Sequence, residues 1–527
     1  MTKQIDPSKY KVTVISPRPY FLFTPLLTGT ISGSLSMRAI MEPIRSRLLW
    51  GRKRRVIQYV KAEAVDIDTE KHVVHCKDNE GDPLEVGYDQ LAIGVGSVTN
   101  TFGIPGAQEH SVFVKDIADA VKIKADLLNL FCNAEKRLRN YQKGKDQGGK
   151  DQGGKDQGGK DQGGKDQGSK EEINIVVVGG GPAGVETVAE INDLIRNELR
   201  VQFPELAEKA KITIVEMLDR LLPQFKKPIS KFATEKLETA PGVVTLLRHQ
   251  VQKVDEKAVH LKALGTDEEK VIPYEMLVWA SGVGQTCFAR KLLMKLQPEN
   301  RVLKVEPDLR LQGCERVFAF GDCAMVSPPS LADHADVFFS EAVNSNTGPC
   351  VDWLMKNRLR LLKLNYVQLD KRQWRLKGTL ERWPLHQKLS VAQFKSLLKE
   401  LDDGYKPPIP TAQIAKQAGG YLGTSLNRAM SKPKLIPHLP FSPSDSGAMS
   451  YIGDGNAVLN INIRKNTPAP KGFTIFGGRG SKLLWHGYYW LNQSSFYNRL
   501  LSFTDVILAG SRDLSGEPQC PKQHGPP

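Results

Sequence analysis

The strongest constraint on the fold is Gly179-Gly180-Gly181-Pro182-Ala183-Gly184, which follows the apolar run INIVVV (173–178) and opens the run PAGVETVAEINDLI. A G-x-G-x-x-G between a strand and a helix is the setting of a dinucleotide-binding turn. Gly179 permits the tight turn, Gly181 lets the main chain approach a pyrophosphate, and Gly184 lets helix and strand pack closely. The helix start adds unpaired N–H groups and a partial positive charge. The next strand, ITIVE (212–216), ends in Glu216, placed to bond both hydroxyls of an adenosine ribose. A carboxylate there repels a 2′-phosphate, so NADH is favoured over NADPH. Glu216 lies 32 positions after Gly184, because helix 185–198 is followed by an extra segment, VQFPELAEKAK.

The same pattern recurs along the chain. Val12 to Ile15 and Leu91 to Val95 are short apolar runs bounded by turn residues, as buried parallel strands should be. LVWASGVG (277–284) and VFAFGDCA (317–324) are further strand-to-glycine turns, the second placing Gly321-Asp322 where an anion or a ribityl hydroxyl chain could sit. Residues 56–87 alternate apolar and polar and predict an antiparallel meander, while 113–141 have helical spacing. Strands alternating with helices indicate an α/β protein with doubly wound sheets. In TAQIAKQ (411–417), Gln413 and Gln417 share a helix face. Spacing alone favours amides bonding each other and solvent over amides bonding the carbonyls of a quinone.

Between these blocks the chain changes character. From Lys145 to Ser169 the pentad KDQGG runs five times, with Ser closing the last copy, and reads as a charge-balanced flexible linker. Residues 325–388 show no clear period and read as an insertion without an EF-hand loop. The tail 482–510 is dense in Trp, Tyr, Phe and Leu, and Trp485, Tyr488, Tyr489, Trp490 and Tyr497 suit an interfacial belt. A small packing domain is the plainer reading of that tail.

Composition narrows the partners. A net charge of +15 favours anionic ones, yet no basic run is interleaved with aromatics, so nucleic acid is not expected. The seven cysteines lack any zinc spacing and read as reduced packing residues; no metal site is expected. No run of 18 apolar residues exists, so no transmembrane helix is expected.

Taken in order, SPRPYFLFTPLLTGTISGSLSMRAIMEPIR (16–45), YDQLAIGVGSVTNTFGIPGAQEHSVFVKDIADAVKI (88–123), GGGPAGVE, ITIVE, LVWASGVG, FAFGDCA, PTAQIAKQ and GAMSYIGDGNAV (447–458) resemble the type II (alternative) NADH dehydrogenases. The resemblance implies two Rossmann-like nucleotide-binding domains plus a C-terminal membrane-associating helical region. Its expected boundaries are 1–142 and 285–425 for the FAD domain, 143–170 for the linker, 171–284 for the NADH domain and 426–527 for the membrane-associating part. The family's first strand and flavin glycine loop are expected upstream of Met1, making the chain N-terminally truncated.

Carried over, the resemblance places Thr24, Pro25 and Leu26 near the isoalloxazine, Gly94 and Gly96 along the FAD path, and Gly321-Asp322 on the flavin's phosphate-ribityl side. Gly179, Gly181, Gly184 and Glu216 would bind NADH, Glu186 would couple hydride and proton movement, and Gln413 and Gln417 would line the quinone pocket. The implied activity is electron transfer from NADH through FAD to a membrane quinone without proton pumping, on the mitochondrial inner membrane as a peripheral protein, with dimerisation left open. A sulfide-handling flavoprotein of the same fold, which needs paired reactive cysteines, and a non-catalytic remnant are the alternatives.

Overall fold

A computed structural model of the chain describes residues 1, 4–6, 8–45, 57–148, 172–370, 374–431, 440–444, 447–463, 471–477, 479–493 and 495–511. They form two compact units: Met1–Tyr20, Pro43–Val98 and Gly284–Asp445 in one, Phe21–Glu42, Thr99–Val283 and Ser446–Pro527 in the other.

The second unit is built on a five-stranded sheet ordered Val112–Phe113, Met276–Trp279, Asn174–Val178, Lys211–Val215, Val243–Leu246. Every neighbouring pair is parallel. All of Ile175 to Val177 and all of Met276 to Trp279 are buried, as strands covered on both faces must be. Helix α1 (Pro182–Asp193) leaves the glycine turn and crosses over towards the next strand. The extra residues before Glu216 carry that crossover through a π-helical turn, Leu194–Leu199, and two short helices, Arg200–Gln202 and Pro204–Lys209. An antiparallel sheet, His249–Val254, Ala258–Ala263 and Glu269–Pro273, lies beside it in sequence.

In the first unit, parallel pairs join Val12–Ile15 to Ile57–Val60, Leu91–Ile93 to Val317–Ala319, and Leu303–Val305 to Ala324–Val326. The predicted meander is real from Ala62–Asp68 through Val73–Asp78 to Pro83–Gly87, but Ile57–Val60 does not belong to it. Alternation reports a half-covered strand, and a strand pairing in parallel can be half covered too. Residues 325–388, aperiodic in sequence, carry the helices Ala335–Val343, Val351–Lys363 and Trp374–Leu380, and Leu331, Trp353, Leu354 and Leu361 form a core with Phe394 and Leu397 of the next helix, Val391–Gly404. Helix α2 (Ala412–Ser431) holds the two predicted glutamines.

The predicted helix at 113–141 spans Ile117–Gly148 and enters the first KDQGG copy; the lone Gly144 costs about 1 kcal/mol, too little to stop it. The remaining pentads lie outside the described residues. After residue 446 the chain adds an antiparallel sheet, Gly447–Gly453, Asn456–Ile463 and Lys471–Phe476, to the second unit. Two helices follow, α3 (Arg479–Asn492) and α4 (Phe496–Ser511). Among the described residues no helix is long and apolar enough to cross a membrane.

Candidate active site

The glycine turn is as tight as its residues predict. Gly179 sits at φ +115°, and a Cβ on Gly184 would stand 1.8 Å from the Gly179 carbonyl oxygen. Around Gly181 the opposite holds, with no atom within 4 Å of a Cβ placed there. No side chain caps α1, so its first N–H groups face open space. Glu216 is half-buried, its Oε2 accepting from the Gly180 N–H at 2.5 Å and its Oε1 from the Leu218 N–H at 2.8 Å. The carboxylate predicted for a ribose is thus also the brace of the glycine turn, and its remaining lone pairs are what a ligand would meet.

In the first unit, the parallel neighbours Leu91–Ile93 and Val317–Ala319 run out together, one into Gly94 and Gly96, the other into Gly321 and Asp322. A crevice beyond the carboxyl ends of parallel strands is where nucleotides bind in such sheets. Asp322 accepts from Ser97 Oγ at 2.7 Å, and its main-chain carbonyl accepts from the Gln285 amide at 3.4 Å. Gly321 is at φ +77°, and a Cβ there would lie 3.4 Å from Ala415, so the start of α2 packs on this turn. Ala415 lies two positions from each glutamine, so the side of α2 that meets Gly321 is the one opposite the Gln413–Gln417 face. The two amides differ, however. Gln417 exchanges two 2.8 Å bonds with the main chain of Ser444, while Gln413 is half-exposed.

Thr24, Pro25 and Leu26 form a 3-10 turn, with Leu26 buried. Four residues past Thr24, Thr28 donates to Glu186 Oε2 at 3.2 Å, and the Tyr451 N–H donates to Glu186 Oε1 at 3.3 Å. Glu186 is only 7% exposed. Burial, chiefly, pushes its carboxyl up to about 8, so it holds a proton near neutrality. Glu190, one turn on, is buried too and pushed up to about 7 by the same cause.

The sequence reading passed over Thr28, Glu190, Asp193, Tyr451 and Lys482. The acidic trio was legible as a spacing, since 186, 190 and 193 lie on one face of α1, but the partners came together only through folding.

Of the seven cysteines read as thiols, Cys76, Cys287, Cys314, Cys323 and Cys350 are free, and Cys520 lies outside the described residues. Cys323, next to Asp322, is fully buried and burial raises its thiol, which makes it a poor nucleophile for sulfide chemistry.

A sheet with an open glycine turn, an acid at the next strand end and a second crevice at paired parallel strands defines a two-nucleotide oxidoreductase. The family described as pyridine nucleotide-disulphide oxidoreductase matches residues 2–337. The external alternative NADH-ubiquinone oxidoreductase, mitochondrial, of Yarrowia lipolytica is 30% identical over 98% of this chain and 78% of its own length. The external alternative NAD(P)H-ubiquinone oxidoreductase B1, mitochondrial, of Solanum tuberosum is 29% identical over 96% of this chain and 86% of its own. Among solved structures, NDH2 from Plasmodium falciparum in complex with NADH superposes with a TM-score of 0.82 at 30% identity, covering 97% of this chain and 95% of that one. The chain belongs to the pyridine nucleotide-disulphide oxidoreductase family, among its type II (alternative) NADH dehydrogenases.

Proposed function

We propose that the chain transfers electrons from NADH through FAD to a membrane quinone, without pumping protons. The observation that carries this reading is the uncapped, unobstructed start of α1 beside Glu216, which suits an adenine dinucleotide with a free 2′-hydroxyl. Bound FAD supplies the two-electron chemistry; placement and proton handling fall to the protein.

Gly179, Gly181 and Gly184 seat the NADH pyrophosphate and Glu216 its ribose. Gly94, Gly96, Gly321 and Asp322 hold the flavin, whose ribityl hydroxyls fit a crevice of exposed main chain and one braced carboxylate. By the family resemblance, Thr24, Pro25 and Leu26 would be the residues nearest the flavin ring. Glu186 carries a proton for the nicotinamide–flavin exchange. Gln413 offers its amide to the quinone, and Gln417, committed to Ser444, holds the pocket wall.

The tail supports a peripheral place on the membrane. On α4, Phe496, Leu500, Phe503 and Ile507 are exposed at i, i+4, i+7 and i+11. The polar residues point inward: Asn498 donates to the carbonyls of Ala39 at 3.0 Å and Met41 at 2.9 Å, and Asp505 accepts from the Ser36 N–H at 2.9 Å. An apolar stripe turned to solvent, with Leu483, Leu484 and Leu491 exposed on α3, suits an interfacial helix pair. Of the five aromatics read as a belt, Trp485 is instead a core residue, fully buried against Tyr451 with ring centroids 5.9 Å apart. The relatives from Yarrowia lipolytica and Solanum tuberosum are named as mitochondrial, and the inner mitochondrial membrane is the proposed site.

The test is spectroscopic. Purified flavin-loaded chain should show flavin absorbance that NADH bleaches and ubiquinone restores. A protein that stays yellow in NADH would overturn the proposal.

A further inference from the structure

Glu186 is the inner end of a longer arrangement. Glu186, Glu190 and Asp193 stand at i, i+4 and i+7 on one face of α1, where neighbouring Cβ atoms lie ~5–6 Å apart. A swing of one side chain or a single water bridges such a gap. Each acid has its own hydroxyl partner. Thr28 donates to Glu186 at 3.2 Å. Ser32 donates to Glu190, and so does Ser34, at 3.5 Å. The Tyr451 hydroxyl donates to Asp193, whose other oxygen accepts from the Asp454 N–H at 3.0 Å.

The row is buried at one end and open at the other. Glu186 and Glu190 are buried, while Asp193 is half-buried and lines a cavity of about 540 Å³ together with Asn192, Arg196, Lys236 and Asp454. Lys482 Nζ donates to the Tyr451 hydroxyl at 3.2 Å and so sets a cation behind the Tyr451–Asp193 bond. A structural explanation for Glu190 is weak. A buried carboxyl bonded by two serines destabilises more than glutamine or leucine would in the same place.

We propose that one face of α1 is a proton line, in which Asp193 takes protons from water in the cavity and passes them through Glu190 to Glu186. The inference rests on the proposed redox function, in which Glu186 serves the reaction. Reduction of a quinone by NADH, NADH + H⁺ + quinone → NAD⁺ + quinol, consumes one proton from water beyond the hydride. At each transfer one carboxyl O–H bond breaks as another forms, and each donor is refilled from the side of Asp193. Glu190 acts through Glu186 and touches neither substrate nor cofactor.

Around Glu190, Lys482 on α3 lowers the carboxyl and Asp193 on α1 raises it, while Glu190 in turn raises Glu186 and Tyr451; Tyr489 on α3 faces Glu186, Asp454 faces Asp193, and the Gly29–Ser32 turn packed against α1 brings no titratable group. Raised carboxyls at 186 and 190 agree with the proposal, since a relay needs groups that gain and lose protons near neutral pH.

The experiment compares E190Q and D193N with the wild type as flavin-loaded full-length protein. NADH drives either ubiquinone, which takes up protons, or ferricyanide, which takes electrons alone. The expected result is a fall of roughly tenfold or more in the quinone-to-ferricyanide rate ratio in both variants, within the 10²–10⁴ that a placed proton donor contributes. The solvent isotope effect on quinone reduction should rise with it. Independently of turnover, infrared titration should show one protonated carboxyl fewer in E190Q, with the remaining buried one titrating at lower pH once its acidic neighbour is gone. An unchanged ratio and pH profile in E190Q would overturn the proton line, because glutamine can keep the serine bonds but cannot carry the carboxyl proton. Wild type unable to reduce ferricyanide with NADH would instead sink the redox reading, and the proton line with it.

Discussion

Gly184 lies so close to Gly179 that a single methyl group at 184 would come within 1.8 Å of the Gly179 carbonyl oxygen. The contact is main chain against main chain, so no side-chain rotation can relieve it. Gly184→Ala should therefore push α1 away from its strand, destabilise the protein by about 2–4 kcal/mol and abolish NADH binding. Thermal denaturation with and without NADH measures both effects; a variant that NADH still stabilises normally would show the turn is not the binding site.

Glu216 braces the glycine turn through Gly180 and also faces the proposed ribose. Glu216→Ala should raise the KM for NADH by roughly 10- to 100-fold, the span expected for lost bonds to a charged group, and narrow the preference over NADPH. Flavin content should change little. An unchanged KM in flavin-loaded protein would refute the assignment.

The buried acids make stability depend on pH in an unusual direction. Glu186 and Glu190 hold protons in the folded chain up to about 8 and about 7, whereas their ordinary value is 4.5. Folding therefore binds protons that the unfolded chain releases. Their contribution is intact below a pH of about 4.5 and is lost as pH rises through the folded values. Glu190→Gln should flatten that loss, leaving the variant more stable than wild type at pH about 8.5 by on the order of 2 kcal/mol and little changed at pH about 4.5. Urea midpoints at the two pH values decide it.

Replacing Leu500 and Phe503 by Asp should leave the fold intact, since the two are 50% and 53% exposed. Flotation with anionic liposomes should drop tenfold or more, given about 1.5–3 kcal/mol for each apolar side chain withdrawn. Equal flotation would remove the membrane from the proposal.

Much of this architecture could be read from the chain. Gly179, Gly181 and Gly184 carry their meaning locally, because each glycine answers a steric demand within a few residues of itself. Glu216 was legible for a related reason, as the end of the next strand in a crossover. Gln413 and Gln417 do lie on one helix, as their spacing predicted, but spacing could not reveal that Ser444 claims one of the two amides. Thr28 and Tyr451 lie 158 and 265 positions from Glu186 along the chain, and no periodicity reports a contact made over such a distance. Trp485 shows the converse limit: an aromatic-rich tail announces a surface, yet one of its rings is needed to close the core.

Helix α4 is folded inside out, with Asn498 and Asp505 turned to the protein and Phe496, Leu500 and Phe503 turned away. Sequence editing meant to improve handling would pick those three positions first, since greasy, outward-facing residues look like defects. On the proposed membrane reading, such edits would yield a better-behaved sample of an enzyme cut off from its lipid-dissolved quinone. The residues whose replacement would ease purification are, on that reading, the ones that bring the chain to its electron acceptor.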